Sequence, residues 1–427
     1  MLLQFNFSNH KSFREETSLD LTAAGISELK NHVFEMGKEK ILPITVIYGA
    51  NASGKSNVID AFNYMSYYVL SSFAYDLDDK GHEKGGFVAP PKFAFDNISK
   101  EQVSMYEVYF IVEESNKTIT YNYGFTVDKN GIAEEWLRTK AKTVDSYRDI
   151  FYRNNKDDTL ELYNIPKKQR ENIEISLRNE TLVVSLGDRL KVNILEKVYD
   201  WFANIQVINY GSLGEVFVRE NILPIGFADD ESVREDMVKY LSTFDKDIIG
   251  FNVEKGPKDS DGNERYSIET VHKSKDNDGT FSLPLAAESA GTLKMFSLYQ
   301  YIMDALKNGG VLFIDELNAR LHPIIVANII NTFSNKEINK TGAQLIITTH
   351  DVIHLDTNYI RRDEIWFTEK VNGESELYSL ADFEDMDGKK IRKDENYLKN
   401  YLLGKYGAIP NIDSITLPQE VYDEKKY

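Results

Sequence analysis

The first seventy-five residues change pattern three times. Leu3, Phe5 and Phe7 alternate with polar neighbours, and Leu19 and Leu21 repeat the alternation after a polar break, which predicts paired strands with one buried face. Residues 41–48 are β-branched and almost wholly apolar, the pattern of a strand buried on both faces. Past a glycine-containing loop, Val58, Phe62, Met65, Val69 and Phe73 recur at steps of three and four, a helical stripe that packs against a sheet. From 283 onward the order is loop, helix, buried strand, helix, buried strand, an α/β succession.

The middle of the chain carries less chemistry. Residues 106–112 and 118–127 read as antiparallel strands, and a turn at 128–131 leads to a third at 132–137. Residues 76–84 read as a charged loop, 231–244 as a helix and 257–264 as a hairpin turn or loop. The tail beyond 380 is polar and helical in part, with Tyr397, Leu398, Tyr401 and Leu402 on one face, and turns through Gly404, Gly407 and Pro410. There is no internal repeat and no sustained heptad pattern.

The strongest chemical signal is Gly49-Ala50-Asn51-Ala52-Ser53-Gly54-Lys55-Ser56, a full match to G-x-x-x-x-G-K-[ST], with a buried strand before it and an amphipathic helix after it. Glycines let the backbone curl so that its N–H groups face phosphate oxygens, and the helix N-terminus adds positive potential. Lys55 is placed to reach the β- and γ-phosphates and Ser56 to hold Mg²⁺. Asn51, Ser53 and Asn57 complete this nucleotide-binding stretch. A second signal is Val311-Leu312-Phe313-Ile314-Asp315-Glu316, a buried strand ending in two carboxylates. Asp315 suits the magnesium shell and Glu316 suits a base for the attacking water.

Two weaker signals gain meaning from position. Glu288-Ser289-Ala290-Gly291-Thr292 opens a helix about twenty residues before the carboxylates, and by itself reads equally as an N-cap. Residues 345–349 form a β-branched run into His350-Asp351. His350 and His354 stand at i and i+4, as in zinc peptidases, but that pairing needs both rings on one helix, and His350 ends a strand.

Together these motifs resemble the ABC ATPase superfamily, particularly SMC- and RecF-like heads. The resemblance implies that Ser289 and Gly291 belong to a signature loop that binds the γ-phosphate of the partner subunit's ATP. Ala290 stands where the family has glycine and Thr292 where it has glutamine. His350 is similar to the family's γ-phosphate-sensing switch histidine. His322, in Leu321-His322-Pro323, resembles the D-loop region and reads equally as a structural histidine. Lys11, in Asn9-His10-Lys11-Ser12-Phe13, resembles the basic residue near the nucleotide in such heads, and reads equally as a surface turn. Residues 93–97 mark the neighbourhood of the family's Q-loop. The implied fold is α/β: an ABC-type P-loop ATPase head with an N-terminal antiparallel β subdomain and an inserted α+β or helical region between the Walker A and signature motifs. The corresponding divisions are 1–75 (head with Walker A), 76–275 (insertion), 276–380 (head with signature loop, Walker B and switch histidine) and 381–427 (tail).

Across its whole length the chain is more similar to the prokaryotic RloA/AbiL-type ATPases of phage defence, through the same motifs and through residues 401–410. The roughly 230 residues between Ser56 and Ser289 lack the heptads of SMC coiled coils. The resemblance implies MgATP bound between two heads of a homodimer or higher oligomer, its hydrolysis controlling a separately encoded effector. Two other readings stay open: a RecF- or SMC-like DNA-repair ATPase, and a nucleotide-gated interaction scaffold with little turnover.

Composition narrows this modestly. The net charge of −18 argues against a surface that coats DNA, though a local basic face remains compatible with it. Residues 138–170 hold nine Lys or Arg against five Asp or Glu, and read as a solvated face ahead of a nucleic-acid patch. The absence of cysteine removes disulfides, thiolate metal sites and cysteine nucleophiles, and fits a cytoplasmic protein. The apolar runs are strand-sized, the start lacks a signal-peptide pattern, and no membrane association is expected.

Overall fold

The computed structural model describes residues 1–76, 87–114, 117–211, 223–258, 264–275, 279–356, 358–384, 388 and 390–410. Its centre is a six-stranded sheet in the order Ile205–Asn209, Val311–Asp315, Gln344–Thr348, Ile44–Gly49, Ile365–Val371, Glu374–Ser379. The first five strands run parallel, and Glu374–Ser379 closes the edge antiparallel. The strand ahead of the P-loop starts at Ile44, because Pro43 has no N–H for a ladder bond; Glu39–Ile41 instead pairs with Phe34–Met36.

Alternate residues of these strands serve two different cores. Ile47, Phe313 and Ile346 face a layer holding the P-loop helix, Lys55–Ser71. Ile44, Val46, Tyr48, Leu312, Ile314, Leu345 and Ile347 face the opposite layer, made by helices Ala290–Asn308 and Pro323–Ser334. This explains the unbroken apolar runs in the sequence, since a strand covered on both sides has no solvent face.

The other side of the P-loop helix is covered by a seven-stranded antiparallel sheet. Its order is Thr159–Leu162, Arg148–Asn154, Gly131–Ala141, Lys117–Asp128, Ser104–Glu114, Leu2–Ser8, Thr17–Asp20. Phe62 links the two sheets, stacked on Phe313 at 4.2 Å and edge-on to Phe5 at 5.0 Å. The expected stripe along the helix is seen in buried Val58, Phe62, Met65 and Val69, whereas Phe73 falls in the 3-10 turn Ser72–Asp76.

Two sheets cross the divisions expected from the sequence. Strands between 104 and 162 pair directly with Leu2–Ser8, so the antiparallel sheet is shared between the N-terminal stretch and the supposed insertion. Ile205–Asn209, inside that same interval, is a strand of the central sheet, in register beside Val311–Asp315. Neither pairing is written locally, because each joins residues about a hundred positions apart. The helix expected over 231–244 ends at Leu241. The hairpin expected around 257–264 joins strands Ile248–Lys255 and Tyr266–Lys273, with 259–263 outside the described residues, as are 77–84 of the charged loop. No described helix is long and apolar enough to cross a membrane.

The basic stretch at 138–170 is in part not a solvated face. Arg153 is buried and donates to the carbonyls of Thr181 and Arg178, each at 2.7 Å. It stands 3.8 Å from buried Glu135, which also accepts from the Val183 N–H and the Tyr123 hydroxyl at 2.8 and 3.0 Å. Glu135→Ala is expected to lower unfolding stability by about 3 kcal/mol or more, because it leaves a buried guanidinium without its counter-charge and the Val183 N–H without its acceptor. Urea denaturation of the two proteins checks this; equal midpoints would show that the cluster contributes nothing.

Candidate nucleotide site

Gly49 ends the P-loop strand at φ 153°, and the chain then coils through Ala52 at φ 63° and Gly54 at φ 116° before the helix begins at Lys55. Glycine is required at both ends for space as well as conformation. A Cβ on Gly49 would fall 2.5 Å from the Thr368 carbonyl oxygen, and one on Gly54 would fall 2.7 Å from Ser375 Oγ. The loop is pinned from outside the motif: Ser53 Oγ lies 2.5 Å from Thr368 Oγ1, and Ser375 Oγ lies 2.7 Å from both the Ser53 carbonyl oxygen and Ser12 Oγ. Asn57 Nδ2 donates to Ser12 Oγ at 2.7 Å. Asn51 and Ser56 are exposed, Ser56 on the first turn of the helix.

Lys55 is buried and folds back over the loop, donating to the Gly49 and Ala50 carbonyls at 2.8 and 2.9 Å. Burial holds its ammonium below the usual value, opposed by the negative charges of Asp315 and Glu316. The lysine and the two carboxylates, distant in sequence, therefore share one electrostatic environment. An ammonium and helix-start N–H groups facing carboxylates can hold a polyanion against an oxygen-rich edge.

Asp315 is the last residue of its strand and is buried; Glu316 is half-buried with φ 55°. A left-handed glutamate is a strained residue, costing on the order of 1 kcal/mol. The surroundings hold it in place. Thr348 Oγ1 donates to Asp315 Oδ1 at 2.5 Å and accepts from the Glu316 N–H at 2.9 Å, so one hydroxyl sets both acids. From the other side, buried Lys294 donates to the carbonyls of Glu316, Leu317 and Ala319 at 3.2, 2.8 and 2.9 Å, and its ammonium lies 3.9 Å from the Tyr210 ring centroid. Gly211 stands beside the pair: a Cβ there would lie 3.5 Å from Asp315 Oδ2 and 3.6 Å from Glu316 Cδ.

Lys294→Met keeps the volume and removes three donors. It is expected to lower the melting temperature by several degrees, since the Leu317 and Ala319 carbonyls lose their donor, at about 1 kcal/mol or more each, while the Glu316 carbonyl keeps the Ala319 N–H. Turnover should fall at least about tenfold as Glu316 loses its fixed backbone. Thermal unfolding and phosphate release check it, and unchanged turnover would mean that the turn holds its shape without the lysine.

His350 lies just past the strand Gln344–Thr348, exposed, with Nε2 3.1 Å from the side-chain nitrogen of Asn318. His354 is buried in the 3-10 turn Val352–His354, not on a common α-helix with His350. Among the described residues no group of three or more His, Cys, Asp or Glu could hold a metal ion, which leaves the zinc-peptidase pattern without a site. Ser56 and Asp315 offer oxygen donors only, which fits Mg²⁺ carried in with a nucleotide.

Ser289 is exposed and caps helix Ala290–Asn308, accepting from the Thr292 N–H at 3.1 Å. Gly291 packs against the turn after the carboxylates, where an added Cβ would lie 3.1 Å from the Arg320 carbonyl oxygen. Behind Ser289, Glu288 Oε1 is 2.7 Å from His272 Nε2. His322 caps the helix Pro323–Ser334, accepting from the Ile324 N–H at 3.2 Å. Lys11 is not brought onto the loop. It pairs with Asp60 on the second turn of the P-loop helix at 2.7 Å, and His10 reaches the same carboxylate at 2.8 Å. Its neighbour Ser12 makes the contact to the P-loop region instead. Near the expected Q-loop, Asp96 caps helix Asn97–Glu101 and lies 3.3 Å from Arg14 Nε.

In front of the loop opens a cleft of about 790 Å³, lined by residues 49–53, His350, Val352, Thr368 and tail residues including Tyr401, Leu402, Ile409 and Pro410. A more apolar cleft of about 780 Å³ lies among helices Glu231–Leu241, Ala290–Asn308 and Pro323–Ser334, and holds none of the P-loop or carboxylate residues. Sequence reasoning missed Thr348, Lys294, Tyr210, Gly211, Ser12, Thr368 and Ser375. Lys294 alone left a trace, as a single cation inside the apolar run 293–298.

Among curated proteins none matches the chain. Among solved structures, one described as "Crystal structure of the SmcHead bound to the C-winged helix domain of ScpA" is similar over 88% of this chain and 97% of that chain, at 14% identity and a TM-score of 0.45. A family model described as "AAA domain, putative AbiEii toxin, Type IV TA system" matches residues 44–356. That span begins with the P-loop strand, runs through both carboxylates to His350 and takes in most of the chain, so this protein belongs to that AAA domain family.

Proposed function

We propose that this chain is an ABC-type ATP hydrolase whose head binds MgATP and completes its site only when a second copy closes over it. The observation that carries the reading is the shared environment of Lys55, Asp315 and Glu316: a buried cation at the start of the P-loop helix, within the field of two acids held by one threonine hydroxyl. Residues Gly49, Asn51, Ser53, Gly54, Lys55, Ser56 and Asn57 would cradle the triphosphate, with Ser56 and Asp315 toward Mg²⁺. Glu316 would accept a proton from, or orient, the attacking water, and His350 would sense the γ-phosphate. Ser289 and Gly291 would act on the nucleotide of the opposite copy, consistent with the exposure of Ser289. Lys11 would act indirectly, by fixing the P-loop helix through Asp60.

In this reading closure and hydrolysis gate a separately encoded effector protein in anti-phage defence, as the resemblance to RloA/AbiL-type ATPases implies. The family description, with its putative toxin and toxin–antitoxin system, is compatible with such a role. The test is phosphate release and mass in solution, with and without MgATP. Slow turnover with an ATP-dependent rise in mass is expected. No turnover and no change in mass would overturn the proposal. DNA added to the assay should leave turnover unchanged; strong, salt-sensitive stimulation would point to a DNA-repair ATPase.

A further inference from the structure

His350 lines the cleft in front of the P-loop, and among the described residues its ring has one hydrogen-bond partner, Asn318, whose Nδ2 lies 3.1 Å from Nε2. Backbone bonds on both sides set that distance. Asn318 stands on the turn after the two acids, where Lys294 holds the Glu316, Leu317 and Ala319 carbonyls and the Leu321 N–H donates to the Asn318 carbonyl at 3.1 Å. His350 follows a strand whose end is tied to the same turn, since the Leu317 N–H donates to the Thr348 carbonyl at 3.3 Å. On its other side the Thr349 N–H donates to the Ile47 carbonyl at 3.1 Å, which fixes the residue before His350 against the P-loop strand. The amide stands in this gap at a cost to stability. Asn318 is half-buried, and its Oδ1 is shut off from solvent with no donor among the described residues. A buried carbonyl oxygen without a donor destabilises a fold, whereas leucine, close to asparagine in shape, would bury no polar atom there. Packing alone would not call for that oxygen.

We infer that Asn318 is a positioning residue for His350, which holds the imidazole as its Nδ1–H tautomer and so offers a donor, not a lone pair, to a bound γ-phosphate. The inference rests on the proposed γ-phosphate-sensing role of His350 and adds the group that prepares the ring for it. An amide nitrogen only donates, and the one atom of a neutral imidazole that can accept is its unprotonated nitrogen. With Nε2 taken in this way, the single ring proton lies on Nδ1. The opposite tautomer would face Asn318 with a second N–H and leave a lone pair at Nδ1, which repels an anionic oxygen. Asn318 follows Glu316 by two residues, so one turn, braced by Lys294, carries both the proposed base and the group that prepares the sensor.

Imidazole proton–nitrogen correlation spectra of the nucleotide-free chain report the tautomer directly, the His350 signals being those lost in His350→Gln. Wild type should show the Nδ1–H form, and Asn318→Asp, which can only accept, should place a proton on Nε2. Asn318→Leu should melt no lower than wild type, while its kcat for ATP hydrolysis falls about tenfold or more and KM stays within about twofold. A side chain that served packing would give the reverse, a lower melting temperature with kcat kept. Asn318→Leu added to His350→Gln should cause no further loss, because the amide acts only through the ring. A wild-type proton on Nε2, or an Nδ1–H form that persists in Asn318→Leu, would overturn the inference. So would wild-type kcat in Asn318→Leu beside an impaired His350→Gln. If His350→Gln itself turns over like wild type, the sensor reading beneath the inference falls, and the spectra alone decide whether Asn318 sets the ring.

Discussion

Lys55→Ala is expected to abolish ATP binding, lowering affinity by about 100-fold or more. The ammonium is already buried against the loop, held by the Gly49 and Ala50 carbonyls and drawn toward Asp315 and Glu316. Its desolvation is therefore met in the folded protein, and a bound phosphate gains a charge-assisted contact, worth about 1.5–3 kcal/mol for each hydrogen bond, without reorganising the site. Alanine removes the contact and leaves two acids facing the polyanion unopposed. The fold should survive, since Ser12, Thr368 and Ser375 pin the loop independently of the lysine. Calorimetric titration with MgATP, beside thermal unfolding, separates the effects. Wild-type affinity in a folded Lys55→Ala protein would mean that the loop is not the phosphate seat.

Glu316→Gln should leave ATP binding intact, slow hydrolysis by roughly 100-fold or more and accumulate an ATP-dependent assembly. The amide matches the carboxylate in size and keeps the backbone contacts to Thr348 and Lys294, both of which use main-chain atoms of Glu316. What is lost is basicity at the side chain. The geometry predicts a loss of turnover without a loss of stability, so single-turnover phosphate release and mass in solution are the readouts. Turnover equal to wild type would remove Glu316 from the role of base and move attention to His350.

The residues now grouped at the site differ in how early they could be recognised. The P-loop was legible because its chemistry is contiguous: eight residues, one curled backbone and one helix start, all local in sequence. The acids were legible because a buried strand must end somewhere, and a double carboxylate at that end is unusual against an apolar background. Thr348 was hidden, since a threonine at the end of a β-branched strand is ordinary until its hydroxyl is seen between Asp315 and Glu316. The setting of Lys11 was equally out of reach of the sequence. It read equally as a basic residue near the nucleotide and as a surface turn, and only the packing against the P-loop helix shows its partner, Asp60. The tail face expected from Tyr397, Leu398, Tyr401 and Leu402 also divided: the two tyrosines are buried, whereas Leu402 is largely exposed.

By itself, then, the sequence determined the α/β order of the C-terminal half, the P-loop motif between a strand and a helix, and the buried strand that ends in two acids. These depend on periodicity and on motifs shorter than one supersecondary unit, where backbone sterics and local hydrogen bonding decide the outcome. Tertiary structure alone decided that Ile205–Asn209 flanks the carboxylate strand, that residues 104–162 complete the N-terminal sheet, that Ser12, Ser375 and the 401–410 segment surround the P-loop, and that Thr348 sets the two acids. Those contacts join positions up to more than three hundred residues apart, as Ser12 and Ser375 are. Such pairings are selected by the burial of both faces of the central sheet, a property of the whole core that no local stretch of the chain records.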